Sequence, residues 1–122
     1  MRMAIIMAAT CIFAAAPAYA AGDASAGQDV FHSKCGICHS AVAGQNRLGP
    51  SLFGVIGRKA GTLPSYDYSD AMKASGKTWD DATLDTYLAN PRGTLPGIKM
   101  TFAGLPDATD RGNVIAYLDT LK

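Results

Sequence analysis

Cysteine is scarce in this sequence, and only one apolar run is long enough to raise the question of a membrane. Three cysteines occur among 122 residues, and Cys11 lies inside the apolar run that covers residues 3–16. That leaves Cys35 and Cys38, so disulfides do not stabilise the fold. The run is about 14 residues long, whereas roughly 18 or more predict a membrane-spanning helix. The sequence therefore predicts no membrane span in the mature chain.

The N-terminal apolar run has instead the features of a secretory signal. Arg2 provides the positive start, and Ala18-Tyr19-Ala20 matches an A-x-A cleavage site. We predict a signal peptide over residues 1–20, cleaved after Ala20, and one domain over residues 21–122 in the periplasm. An uncleaved membrane anchor is the alternative.

The sequence also has no large excess of positive or negative charge. Arg2 is one of 11 Lys and Arg, and the remaining ten balance ten Asp and Glu. The cations form no cluster along the chain, whereas nucleic-acid binding depends on clustered cations that neutralise phosphates. The sequence predicts no nucleic-acid partner.

The chemistry-bearing motif is C-x-x-C-H at Cys35, Cys38 and His39. This spacing is typical of c-type haem attachment, in which the two thiols bind the haem vinyl groups and the imidazole lies under the iron. A zinc knuckle needs four ligands. His32 would have to join Cys35, Cys38 and His39, and four ligands from eight consecutive residues are sterically unfavourable. A thioredoxin-like pair is expected near a βαβ pattern, and no strand run precedes Cys35. A chance match is the remaining alternative.

Apolar residues at helical spacing predict an all-α fold. The predicted helices cover residues 24–34 with Asp23 as N-cap, residues 69–73, a segment from the N-cap Thr78 to Asn90-Pro91, and a last segment from the N-cap Asp107 to about residue 121. The Gly- and Pro-rich loops over 43–64 and 92–106 are long for so small a domain. A haem at the centre would give these loops an apolar body on which to pack.

The sixth iron ligand decides between a carrier and an enzyme. Outside the predicted signal, only Met72 and Met100 offer a thioether. Met72 is explained by packing on a short helix, and Met100 lies in an irregular segment, so the spacing favours Met100. His/Met ligation raises the reduction potential and leaves no open position for a substrate.

Several further motifs occur in order along the chain: LGPSLFG at 48–54, GRKAG at 57–61, TLDTYL at 83–88, PGIKMTFAGL at 96–105 and IAYL at 115–118. With the C-x-x-C-H motif, they make the chain resemble a class I cytochrome c, close to the bacterial cytochrome c2 and mitochondrial branch. The resemblance covers residues 27–121. It implies a single-domain class I cytochrome c fold, with crossed terminal helices and loops wrapped around one covalent haem c, and Met100 as the sixth ligand.

The resemblance also implies roles for individual side chains. The carbonyl of Pro50 would accept a hydrogen bond from the His39 ring. The phenol of Tyr87 would donate a hydrogen bond to the Met100 sulfur. The remaining roles are propionate contacts for Arg58, Tyr68 and Trp79, packing of Phe102 on the exposed haem edge, and a helix crossing at Gly27, Phe31 and Tyr117. The chain departs from the family at Ile98, where a Thr is usual, and at Met72, where an Asn is common.

The implied function is that of a monomeric single-haem electron carrier, not an enzyme. It would dock transiently on a membrane electron-transfer complex, terminal oxidase, reaction centre or reductase. Lys34, Arg47, Arg92 and Lys99 match docking positions, although ordinary solvated surface charge explains them equally well. The alternatives are a small haem peroxidase or gas binder with an open sixth position, and a subunit of a larger oxidoreductase.

Overall fold

A computed structural model describes Cys11 and residues 22–122. The predicted signal peptide, Cys11 apart, and its cleavage site lie outside the described residues. Helix α1, Ala24–Val30, runs on into one wide π-helical turn, Phe31–Cys35. The other helices are α2, Asp70–Ala74; α3, Asp81–Ala89; α4, Pro91–Thr94; and α5, Ala108–Asp119. No helix among the described residues has the length and apolar character needed to cross a membrane.

The predicted all-α class is confirmed, and two predicted N-caps are present. Asp23 accepts hydrogen bonds from the amides of Ser25 and Ala26, at 2.9 and 3.2 Å. Asp107 binds two free amides at the start of α5 in the same way, at 2.7 and 3.0 Å. Both carboxylates satisfy amides that have no partner within the helix.

The predicted start of α3 is wrong. Asp80 is the N-cap, and its carboxylate accepts from the amide of Thr83 at 2.7 Å. Thr78 instead forms an isolated antiparallel bridge with Lys59, and the amide of Trp79 donates to the carbonyl of Arg58 at 2.9 Å. This pairing keeps the backbone extended until Asp80, so the helix begins later than the sequence predicts.

The helix α4 and the π turn are not predicted from the sequence. The side chain of Asn90 caps α4 by accepting from the amide of Gly93 at 3.1 Å, and Pro91 occupies the first helical position. In the π turn, the amide of Gly36 donates to the carbonyl of Phe31 at 2.7 Å. That bond spans five residues, so the turn is one residue wider than α-helix.

The two terminal helices cross at Gly27. An added Cβ at Gly27 would lie 1.8 Å from the Asn113 carbonyl oxygen, so only a glycine allows this approach. At the start of the π turn, the ring of Phe31 packs on the ring of Tyr117 in α5, with the centroids 5.3 Å apart. Val114 beside them is 1 % exposed. The crossing therefore anchors the segment that leads directly into Cys35.

Candidate functional site

Cys35 is the last residue of the π turn, and Cys38 and His39 lie in the turn that follows it. Residues 35–39 form the cysteine turn. The amides of Cys38 and His39 both donate to the carbonyl of Cys35, at 3.0 and 2.8 Å. Both thiols are free and half-buried. Burial, and secondarily the charge of Cys38, raises the pKa of Cys35 to about 11. The Cys35 thiol is therefore protonated at neutral pH.

The imidazole of His39 is fixed on two sides. Its Nδ1 lies 2.7 Å from the carbonyl oxygen of Pro50, and because that oxygen only accepts, Nδ1 carries the proton. An added Cβ at Gly49 would lie 2.3 Å from the ring carbon Cε1, so the ring rests against the Gly49 backbone. Burial lowers the pKa of His39, although the bond to Pro50 opposes the shift. A neutral ring with Nδ1 protonated keeps its lone pair on Nε2, where a metal binds.

The segment that carries Pro50 lies directly against the cysteine turn. The amide of Gly49 donates to the carbonyl of Cys38 at 2.8 Å. The guanidinium of Arg58 donates to the carbonyls of Ser51 and Phe53, at 3.0 and 2.6 Å. These bonds hold a segment without helix or strand at a fixed distance from His39.

Two aromatic pairs include the predicted Trp and Tyr residues. Trp79 and Tyr87 are 7 % and 6 % exposed, with ring centroids 4.9 Å apart. Burial raises the pKa of Tyr87 to about 12. Tyr68 is half-buried and packs edge-to-face on Tyr66, again with 4.9 Å between centroids.

The segment around Met100 packs on the core without helical structure. Met100, Phe102 and Ile98 are half-buried against the core, as is Met72 on α2. Lys99 joins this segment to another loop, since its Nζ donates to the carbonyl and the carboxylate of Asp67 at 3.0 and 3.2 Å. Both thioether candidates therefore lie in the same core.

Three of the four predicted docking cations already have partners within the chain. Arg47 donates to the carbonyl of Gly36, and Arg92 to the carbonyl of Thr101, both at 2.9 Å. Lys99 binds Asp67 as described. Lys34 is exposed near the end of the π turn.

Sequence reasoning missed the roles of Gly49 and Asn46. Gly49 directly precedes Pro50 in the motif at residues 48–54, and this position next to the partner of His39 is a local signal for its role. Asn46 accepts from the amide of Ser51 at 2.9 Å and donates to the carbonyl of Ser65 at 3.1 Å. The Ser65 partner lies 19 residues away along the chain, and no local pattern reveals such a contact.

These residues fit a covalently bound haem. Two free thiols lie on one turn, the neighbouring imidazole has its lone pair on Nε2, and two methionines and several aromatic rings pack nearby. Among residues 22–122 and Cys11, no group of three or more His, Cys, Asp or Glu could hold a metal ion.

An all-α fold with this motif defines a c-type haem protein, and comparison with known proteins gives its family. The family model described as "Cytochrome c" matches residues 24–122. The chain belongs to the cytochrome c family, as a class I cytochrome c near the cytochrome c2 branch. The predicted family and fold are confirmed.

The chain is 49 % identical to cytochrome c2 of Rhodomicrobium vannielii over 117 residues, which cover 95 % of this chain and 93 % of the relative. It is 48 % identical to cytochrome c of Euglena viridis over 101 residues, 83 % of this chain and 99 % of the relative. Among solved structures, cytochrome cH from Methylobacterium extorquens has a TM-score of 0.76 and 46 % identity, with 81 % of this chain and 99 % of that chain covered. The protein is a single-haem electron carrier with covalent haem c and the His/Met ligation typical of its class.

Proposed function

We propose that Cys35 and Cys38 hold the haem through thioethers, that His39 and Met100 are the axial ligands, and that the protein shuttles single electrons between redox complexes in the periplasm. The observation that carries the assignment is the fixed imidazole of His39, 2.7 Å from Pro50 and in contact with Gly49. Bound haem supplies an iron that alternates between the ferrous and ferric states. The chain supplies ligands that stay in place in both.

Outer-sphere transfer through the exposed haem edge follows from this ligand set. With His39 and Met100 both holding the iron, no coordination position would be open to a substrate, so we propose a carrier and not an enzyme. The hydrogen bonds of Arg58 and Lys99 to main-chain carbonyls restrain the segment that carries Pro50, the partner of His39, and the segment that carries Met100. Restrained ligands change little between oxidation states, which favours rapid electron transfer.

The remaining aromatic and cationic residues would surround the cofactor. Arg58, Tyr68 and Trp79 would hydrogen-bond or neutralise a propionate, because a buried carboxylate without such partners is costly. Tyr87 would donate to the Met100 sulfur, and its raised pKa keeps the phenol protonated as that role requires. Phe102 would cover the haem edge.

The protein would act as a monomer in the periplasm and dock only transiently on its redox partners. Export is supported by the apolar N-terminal run and its A-x-A site. The docking cations would be Lys34, Arg47, Arg92 and Lys99, with three of them restrained by internal hydrogen bonds. Ile37 and Leu48, which are near Lys34 and Arg47 in the sequence, are 75 % and 78 % exposed, so apolar contacts would contribute to docking as well. A partner with an acidic face would therefore react faster at low salt, because screening acts over about 10 Å at 0.1 M; a rate independent of salt contradicts docking through these cations.

The ligand assignment is tested with carbon monoxide on the purified haem protein. We expect the visible spectrum of the reduced wild type to stay unchanged on adding the gas. Met100→Ala opens the sixth position, so this variant should bind carbon monoxide and lose the near-infrared Fe–S band. Met72→Ala is the matched control and should behave as wild type.

Three results would contradict the proposal. A purified protein with the mass of the bare polypeptide excludes covalent haem. Carbon monoxide binding by the wild type excludes a closed sixth position. Loss of the Fe–S band in Met72→Ala, with the band retained in Met100→Ala, would assign the ligand to the other methionine.

A further inference from the structure

The peptide group that joins Pro50 to Ser51 takes part in two hydrogen bonds at once. Its oxygen accepts from His39 Nδ1 at 2.7 Å, and its N–H donates to Asn46 Oδ1 at 2.9 Å. A peptide group is planar and rigid, so a bond at one end fixes the direction of the other. The orientation of the oxygen that holds the imidazole therefore depends on the Asn46 side chain.

Asn46 is itself held in one orientation. Its Nδ2 donates to the carbonyl and the hydroxyl of Ser65, at 3.1 and 3.0 Å. The amide of Ser51 only donates and the carbonyl of Ser65 only accepts, which fixes the side-chain oxygen toward Ser51 and the nitrogen toward Ser65. The result is a chain of hydrogen bonds from Ser65 through Asn46 and the peptide group to His39.

We propose that Asn46 is a positioning residue for His39, acting through the Pro50–Ser51 peptide to set the electron donation of the imidazole. The proposal rests on the assignment of His39 as an iron ligand above. Hydrogen bonds in such a chain strengthen one another by about 10–30 % per bond. Because Asn46 draws on the N–H, the Pro50 oxygen becomes a better acceptor for the Nδ1 proton.

The consequence for the redox couple has a definite sign. A stronger hydrogen bond at Nδ1 makes the ring a more basic ligand. A more basic imidazole stabilises ferric iron over ferrous iron, which lowers the reduction potential. Removing the acceptor at position 46 should therefore raise the potential.

A purely structural role for Asn46 would predict something different. The same two loops are also joined by the hydroxyl of Tyr66, which donates to the carbonyl of Leu48 at 2.7 Å. That bond does not touch the Pro50–Ser51 peptide. Tyr66→Phe therefore removes a connection between the loops and leaves the chain of hydrogen bonds to His39 intact, which makes it the matched control.

The experiment compares Asn46→Leu with Tyr66→Phe in the haem-loaded protein. Leucine has nearly the shape of asparagine and offers no acceptor. We expect Asn46→Leu to raise the midpoint potential and to shift the His39 Nδ1 proton resonance of the reduced protein upfield, as a weaker hydrogen bond requires. Tyr66→Phe should change neither quantity, although both variants lower the unfolding midpoint in denaturant.

Equal potentials and equal His39 resonances in the two variants would overturn the proposal. If Asn46→Leu does not take up haem, Asn46→Asp replaces it, because a carboxylate still accepts from Ser51 and can accept from the Ser65 hydroxyl. The anionic acceptor should shift the His39 resonance downfield, and an unmoved resonance refutes the relay. A reversible one-electron wave in every variant shows that the proposed carrier function holds whichever way the relay is decided; absence of the wave in the wild type would refute the carrier function instead.

Discussion

Replacement of Gly27 by alanine should separate the two terminal helices. The added Cβ would lie 1.8 Å from the Asn113 carbonyl oxygen, 2.4 Å from its carbon and 3.0 Å from the Tyr117 Cβ. A carbon atom approaches a carbonyl oxygen to about 3.3 Å at closest, so α1 and α5 must move apart by roughly 1.5 Å. The nearest obstacle is backbone, and no change of rotamer removes it.

The cost can be estimated from these contacts. Overpacking a well-packed core costs about 1–3 kcal/mol, and a backbone obstacle puts Gly27→Ala at the upper end. The separation also loosens the packing of Phe31 on Tyr117, where a buried side chain contributes about 1.5–3 kcal/mol in full. Against this, alanine favours the helix over glycine by about 1 kcal/mol. We expect a net loss of about 2–4 kcal/mol in the free energy of unfolding.

Denaturant unfolding of the haem-loaded protein measures this loss, and α5 provides the control. Gly112 is also in a helix that forms the crossing, but an added Cβ there has no atom within 4 Å. Gly112→Ala should therefore gain up to about 1 kcal/mol from helix propensity alone. If the two variants have the same stability, the close approach at Gly27 does not exist in solution and the reasoning fails.

Three further substitutions probe the site and its support. Gly49→Ala places a Cβ 2.3 Å from the His39 ring; it should displace the imidazole and let the reduced protein bind carbon monoxide, and an unchanged spectrum would contradict this. Burial raises the pKa of Tyr87 to about 12, whereas the unfolded phenol ionises near pH 10, so stability should fall by up to about 2–3 kcal/mol as pH rises from 10 to 12. Tyr87→Phe should flatten this fall in the free energy of unfolding, measured by denaturant titration, and an equally steep fall in the variant would contradict the raised pKa of Tyr87. Arg111→Met breaks a half-buried ion pair with Asp85 at 2.8 Å and should cost about 2–3 kcal/mol; a loss below about 1 kcal/mol, typical of an exposed pair, would contradict it.

How far the sequence determines the fold is clearest at the helix starts. Asp23 and Asp107 were predictable as caps because each is the acceptor side chain directly before a periodic apolar segment. Thr78 and Asp80 are both chemically suitable caps, and the choice between them depends on the pairing of Thr78 with Lys59. That partner lies outside any local window, so sequence reasoning chose the wrong residue.

In the candidate site, too, some residues are predictable from a local pattern and others depend on distant partners. The C-x-x-C-H motif brings the two proposed attachment thiols and the proposed histidine ligand within five consecutive residues, since covalent attachment demands a fixed local spacing. Its supports are distant: Asn46 meets Ser65, and Lys99 meets Asp67. Such contacts form only when the loops fold, and no periodicity marks them beforehand.

Arginine side chains add further hydrogen bonds to the loops around the candidate site. Each arginine in residues 22–122 donates to main-chain carbonyls, and the acceptors are Gly36 for Arg47, Ser51 and Phe53 for Arg58, Thr101 for Arg92, and Leu105 and Pro106 for Arg111. Carbonyls outside helices need partners, and a guanidinium offers five donors in a fixed plane, charged at every physiological pH. A lysine has one flexible ammonium and could not bind two carbonyls in the same geometry. These hydrogen bonds restrain segments without secondary structure, and the proposed carrier function would require such restraint as the iron changes charge.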